Sequence, residues 1–171
     1  FKGFDIRFVV NYLAPYVLTN GILPILQKGD HTRIVNLSSA AQSHVSDATL
    51  WGRTIGNANE LYAQSKLALT MWSFYLAENK PDLIVIPVNP GSLLNTKMVK
   101  EGFGYHRSSA DKGGDILYDL AVSEKYENDS GKYFDNDIGT FGTVHPSGQH
   151  KEAINILVEK TNKLLKDKMF M

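Results

Sequence analysis

Apolar residues at Phe4, Phe8, Val9, Tyr12, Leu13, Tyr16 and Val17 recur three and four apart, which predicts a long helix with one broad buried face over 4–26. Pro15 predicts a kink or interruption, and Gly21 with Pro24 loosens the end. After the turn signal Lys28-Gly29-Asp30, the β-branched run Arg33–Leu37 predicts a short strand leading into Ser38-Ser39. The polar stretch over 40–58, with Gly52 and Gly56, reads as a loop or insertion. A second helix is predicted from about 59 to 78, stopped by Asn79-Lys80-Pro81-Asp82. Leu83–Val88 is apolar without alternation, the pattern of a strand covered on both faces in a parallel sheet. Asn89-Pro90-Gly91 then breaks the chain sharply, and a glycine-rich segment runs to Ser109. A third helix over 110–123, a short strand at Lys132–Phe134 and a last helix over 151–166 complete the chain. That last helix places Ile154, Leu157, Val158, Thr161, Leu164 and Leu165 on one side and lysines opposite, as a core-packed terminal helix requires. Strands alternating with helices predict an α/β layered sheet. Three strands make a thin one, since doubly wound dinucleotide folds use about six.

Composition narrows the chemistry. The 171 residues suit one domain, residues 1–171, and 18 Lys+Arg balance 18 Asp+Glu. Without a field of one sign, nucleic acid is not an expected partner. The absence of cysteine excludes thiol nucleophiles, zinc-thiolate sites, iron–sulfur clusters and disulfides, and suits a cytoplasmic protein. Unbroken apolar runs are short, so no membrane span is expected. The chain opens at Phe1 as if entering a helix already under way.

Three features could carry chemistry. Tyr62 and Lys66 lie four apart near the start of the second helix, so both leave one face, about 6 Å apart along the axis. A nearby ammonium favours a phenolate and brings a phenol closer to useful acid–base work at neutral pH. The pair alone does not separate this from a packed Tyr beside a solvated Lys. Ser38 and Ser39 stand just past the carboxyl end of a predicted parallel strand, where open α/β sheets build ligand crevices. A hydroxyl there can donate to a carbonyl oxygen, although ordinary turn chemistry explains the pair as well. Asn89-Pro90-Gly91 ends the next strand, and Gly91 allows close approach of backbone to a ligand. Two strand ends and one helix start therefore converge on one sheet edge.

These motifs resemble the short-chain dehydrogenases/reductases. Arg33–Ser39, Tyr62-Ala63-Gln64-Ser65-Lys66 as a YxxxK signature, Val88-Asn89-Pro90-Gly91, and Val10–Ala14 as the asparagine-bearing helix occur in the family's order. The long spacer from Ser39 to Tyr62, with His44 after the serines, resembles the retinol-dehydrogenase-like and WW-oxidoreductase-like branch. The resemblance implies a Rossmann-type doubly wound parallel sheet and NAD or NADP as cofactor. It implies Tyr62 as the general acid/base and Lys66 as the group that tunes Tyr62 and binds the nicotinamide ribose. It further implies Ser39 as the substrate-oxygen ligand, with Ser38 its stand-in, and Asn11 as the holder of a water leading to Lys66. Pro90, Gly91 and Thr96 would lie against the nicotinamide end, Thr96 one residue later than the family's usual spacing. Leu94 to Tyr105 would be the substrate loop, its lining Leu93, Leu94, Met98 and Phe103 suiting a small hydrophobic alcohol or carbonyl.

The family's TGxxxGxG cofactor turn and NNAG strand end, which should precede Asn11, are not in the sequence. The chain accordingly reads as the C-terminal half to two-thirds of such a domain, lacking the determinants of NAD versus NADP and leaving a sheet edge open. Two other functions stay in view: a non-catalytic dinucleotide-sensing or interaction module on the same fold, and an extended-branch sugar-nucleotide epimerase or dehydratase. The five histidines do not fall into metal-ligand spacings, and no GxSxG elbow occurs. Aromatic residues on the first two helices (Tyr12, Tyr16, Trp72, Phe74, Tyr75) suggest a homodimer paired through them.

Overall fold

The computed structural model describes residues 3–53 and 56–169; the side chains of Met98, Phe103, Lys168 and Met169 lie outside the described residues. Helix α1 runs Ile6–Leu26. Asp5 caps its start by accepting from the Arg7 backbone N–H, and Val9–Leu13 form a π-helical turn. Pro15, where the sequence predicts a kink, explains the widened turn: it has no N–H for the Asn11 carbonyl, and its ring would crowd that carbonyl in a regular helix.

Strand β1 (Arg33–Leu37) and strand β2 (Ile84–Asn89) pair in parallel, Arg33 opposite Ile84 and Leu37 opposite Val88. Between them lie a short helix α2 (Asp47–Leu50), inside the segment read as a loop, and the long helix α3 (Ala58–Asn79). Asn57 starts α3 by accepting from Asn59 and Glu60 backbone N–H groups. Beyond β2 come α4 (Lys97–Phe103) and α5 (Ala110–Val122). Strand β3 (Phe134–Asp135) adds to β2 in parallel, and β4 (Thr140–Phe141), which the sequence pattern does not show, turns back antiparallel. The sheet order is β1-β2-β3-β4. Helix α6 (Lys151–Met169) closes the chain.

Helix α3 is the hub. It packs against α1, α6 and the sheet at once, and Leu67, Ala68 and Trp72 are fully or almost fully buried. One core layer unites Phe8, Tyr12, Leu13 and Tyr16 of α1 with Leu67 to Leu76 of α3 and Ile154, Leu157, Val158 and Leu164 of α6. A second, under Ile86, Val88, Leu120, Tyr126 and Phe134, fixes α5 to the other face of the sheet. Arg33 adds a tie there by donating to the carbonyls of Leu120 and Ser123 at the end of α5 (3.0 and 2.6 Å).

Two sequence expectations change. The aromatics taken as dimer surface are used within the chain: Tyr12, Tyr16 and Trp72 are buried, and Phe74 and Tyr75 pack against the same core. Helix α6 packs its apolar side against the α1–α3 pair, bonding Tyr12 and Tyr16 through Thr161 and Asn162, so these aromatics give no separate argument for a dimer. The expectation that no segment is long and apolar enough for a membrane also fails by length and composition, because Ile6–Leu26 meets both. Its apolar residues are spread around the helix, interrupted in sequence by Asn11, Thr19 and Asn20, and so form no unbroken run. One face of this helix is packed into the core.

Candidate active site

At the carboxyl ends of β1 and β2 a cleft of about 310 Å³ is lined by Ser38, Ser39, Tyr62, Asn89, Pro90, Gly91 and Thr96. Leu37, Leu94, Val99 and Leu117 give it an apolar wall, and Gly113 and Gly114 of α5 form one side. The convergence expected from two strand ends and a helix start is realised. Gly113 is needed for the fit: a Cβ there would lie 2.5 Å from Leu94 Cδ1 and 3.4 Å from the Pro90 carbonyl oxygen.

The two serines are separated by their protons. The Lys66 carbonyl lies 2.9 Å from Thr70 Oγ1 and 3.5 Å from Ser38 Oγ, and the two hydroxyls lie 2.5 Å apart, so both protons are taken up within this buried group. Ser38 is buried with its proton engaged. Ser39 Oγ instead accepts from the Ala41 backbone N–H at 3.1 Å, which leaves its own proton to donate into the cleft. Tyr133 and Gln42 both donate to the Ser39 carbonyl, at 3.1 and 2.9 Å, and hold that residue in place. Burial, then Asp135 and Asp137, pushes the Tyr133 phenol up, so it remains a donor. Sequence reasoning missed Tyr133, which only folding brings to Ser39.

Tyr62 and Lys66 share one face of α3, with Lys66 Nζ 5.6 Å from the Tyr62 ring centroid. Lys66 Nζ also donates to the Leu37 carbonyl at 2.7 Å, at the end of β1. Burial pulls its pKa down from 10.5 to about 8. An ammonium has three donors, so two remain for a ligand. Asn11 does not reach toward Lys66 by a direct bond: its Nδ2 donates to Ser65 Oγ at 3.0 Å, and Ser65 donates to the Tyr62 carbonyl at 2.6 Å. Asn11 thus braces the first turn of α3 from the π-helical turn of α1. Thr96 lines the cleft but also caps α4, its Oγ1 accepting from the Val99 N–H at 3.3 Å. Leu94 lines the cleft, whereas Leu93 is set beside it with a left-handed φ of 52°. The expected contributions of the Met98 and Phe103 side chains fall outside the described residues. Val99, Gly113 and Leu117 are lining residues the sequence did not single out.

The comparisons with known proteins fit this geometry. No protein-family model matches the chain. Retinol dehydrogenase 13 of Mus musculus is 32% identical over 154 residues, covering 78% of this chain and 46% of that protein. Polyprenol dehydrogenase of Danio rerio is 32% identical over 143 residues, covering 71% of this chain and 44% of that protein. A short-chain dehydrogenase structure from Shigella flexneri, complexed with NADP, is similar with a TM-score of 0.59 at 26% identity, over 76% of this chain and 52% of that one. The chain belongs to the short-chain dehydrogenase/reductase family. It is similar to the retinol-dehydrogenase-like branch and has the family's Rossmann-type sheet. It spans about half the length of the curated relatives it matches.

The glycine-lined wall at Gly91, Gly113 and Gly114 fits a flat nicotinamide, and Lys66, which does not itself line the cleft, has two donors left at its edge beside Leu37. The sequence has no glycine-rich turn of the kind that holds a pyrophosphate at a helix N-terminus.

Proposed function

We propose that this chain is the catalytic part of an NAD(P)-dependent oxidoreductase that interconverts an apolar alcohol and its carbonyl compound. The observation that carries the reading is that Tyr62, Ser39 and Gly91 line one cleft, with Lys66 one helical turn from Tyr62. When bound, the dinucleotide supplies or accepts the hydride. Ser39 donates its free proton to the substrate oxygen and orients it, and Tyr62 gives a proton to that oxygen in reduction or takes it in oxidation. Lys66 holds the ribose hydroxyls and places positive charge beside Tyr62. Leu94, Val99 and Leu117 exclude water and favour an apolar substrate.

The pyrophosphate site belongs to further sequence under this proposal, and two surfaces support that. Strand β1 is the edge of the sheet, with Leu37 48% exposed at its end. Helix α1 also carries a second apolar stripe, Val10, Val17, Leu18 and Ile25, left exposed opposite its buried face. An edge strand flanked by such a helix is suited to parallel strands that continue the sheet. A cytoplasmic setting is part of the same proposal and rests on the absence of cysteine.

The test is Tyr62→Phe in the full-length protein, assayed with NADH and NADPH against apolar aldehydes and ketones. Turnover should fall by at least about 100-fold, the scale of a lost general acid, with dinucleotide binding retained. Unchanged turnover overturns the role of Tyr62. Dinucleotide binding with no turnover in the unaltered protein favours the sensing-module reading.

A further inference from the structure

The turn that forms the floor of the cleft is held from outside it by three consecutive residues that neither the motifs nor the proposed chemistry uses. Asn89, buried at the end of β2, donates from Nδ2 to Asp135 Oδ1 at 2.8 Å and to Asp137 Oδ2 at 2.9 Å. Its own Oδ1 accepts from the Gly91 N–H at 3.2 Å. Asn136 donates to the Pro90 carbonyl at 2.9 Å and to the Lys112 carbonyl at 3.1 Å, tying the turn to the first turn of α5. Asp137 accepts from the Ser92 N–H at 2.8 Å, and the Ser92 hydroxyl donates to the same carboxylate. Each residue from Asn89 to Ser92 is therefore gripped, directly or through Asn89, by the segment following β3.

We infer that Asp137 is a positioning residue for the dinucleotide site, which fixes the Pro90–Ser92 backbone through Ser92 and Asn89 so that Gly91 faces the cleft in one conformation. The inference rests on the oxidoreductase reading for what the turn contacts, but the clamp itself does not. Gly91 has a φ of 128°, a conformation that an ungripped glycine exchanges freely with others. A turn so placed and so free costs affinity when a ligand must order it. Three donors converge on one carboxylate, and charge-assisted hydrogen bonds are the stronger kind. Burial works to raise the Asp137 pKa, yet the bonds from Ser92 and Asn89 and the charge of Lys112 outweigh it and hold the group below its usual value. The carboxylate is thus the form present at neutral pH. Asp137 is not among the residues lining the cleft, so its effect on a bound ligand is indirect.

The experiment is a double-mutant cycle on the full-length protein with Asp137→Ala, Ser92→Ala and the pair, read by KM for NADPH or NADH, by kcat and by thermal midpoint. Asp137→Ala should raise the cofactor KM about tenfold or more, the scale of a lost charged hydrogen bond, with kcat at saturating cofactor falling less than KM rises. Ser92→Ala should raise KM by a smaller factor, and the double variant should match Asp137→Ala rather than multiply the two effects. A second readout does not depend on turnover: the ¹⁵N–¹H signals of Gly91 and Ser92 should broaden or multiply in Asp137→Ala. Unchanged KM with unchanged signals overturns the inference, as do effects that multiply or a loss confined to thermal stability. If the unaltered protein turns over no carbonyl compound with either dinucleotide, the functional reading fails, while the Gly91 and Ser92 signals still decide the clamp.

Discussion

The ammonium of Lys66 donates to the carbonyl of Leu37 at 2.7 Å, joining the helix that carries Tyr62 to the last residue of the edge strand β1. The bond fixes a charged group where the sheet ends and the cleft begins. It also holds that charge in a buried place, which is why the Lys66 pKa falls to about 8.

Stability should therefore depend on pH through Lys66. The folded-state pKa is depressed below the ordinary value of 10.5, so the charged form costs more in the folded chain than in the unfolded one. The cost is full below about pH 8 and fades as pH rises toward 10.5. Compared with Lys66→Met, which cannot titrate, the unaltered protein should gain up to roughly 3 kcal/mol of relative stability between pH 7 and 10. Urea unfolding of both proteins at the two pH values measures this. A difference that does not change with pH would sink the assignment.

The joint between α1 and α6 should respond asymmetrically to its two partners. Thr161 Oγ1 donates to the Leu157 carbonyl at 2.8 Å, so in its 2.7 Å contact with Tyr12 the phenol is the donor. Burial pushes the Tyr12 phenol far up and keeps its proton on. Thr161→Val leaves a fully buried hydroxyl without an acceptor and should cost about 1–3 kcal/mol. Tyr12→Phe leaves Thr161 still bonded to Leu157 and should cost less. Denaturant midpoints with the opposite order would refute the donor assignment.

The serines should divide their roles between catalysis and folding. Ser39→Ala removes the proton available to the substrate and should lower kcat/KM by about 100-fold with little change in melting temperature. Ser38→Ala breaks the buried contact with Thr70 and should lower stability by about 1 kcal/mol while sparing more of the activity. Steady-state kinetics beside thermal melts of the two variants distinguish them, and equal loss of activity in both would count against Ser39 as the sole donor.

Gly113→Ala should act on the cleft through Leu94. The added Cβ would meet Leu94 Cδ1 at 2.5 Å, and Leu94 is itself buried, so it must shift. Overpacking of this kind costs about 1–3 kcal/mol. The substrate KM should change with it, since Leu94 lines the cleft. Unaltered melting and unaltered KM together would show that Leu94 moves aside without consequence.

The sequence by itself determined the long helices, strands β1 and β2, and the signature. A 3.6-residue apolar period marks α1 and α6, an unbroken apolar run marks β2, and Tyr62, Lys66, Ser39, Pro90 and Gly91 stand in the order of the family. These are local facts, fixed by neighbours a few residues apart. Pairwise choices between distant groups were decided only by the tertiary structure. Which serine keeps a free proton depends on Thr70, 31 residues beyond Ser39. That the aromatic stripe of α1 and α3 is used within the chain was not legible, because no periodicity reveals that α6 returns from the far end of the chain to pack on it. Strand β4 escaped notice because two residues carry no alternation. Nothing in the sequence singles out the Asp135-Asn136-Asp137 run, since its partners Asn89, Pro90 and Ser92 lie more than forty residues away. A hydrogen bond is specified by the position of both its ends, and a sequence pattern fixes only one of them at a time.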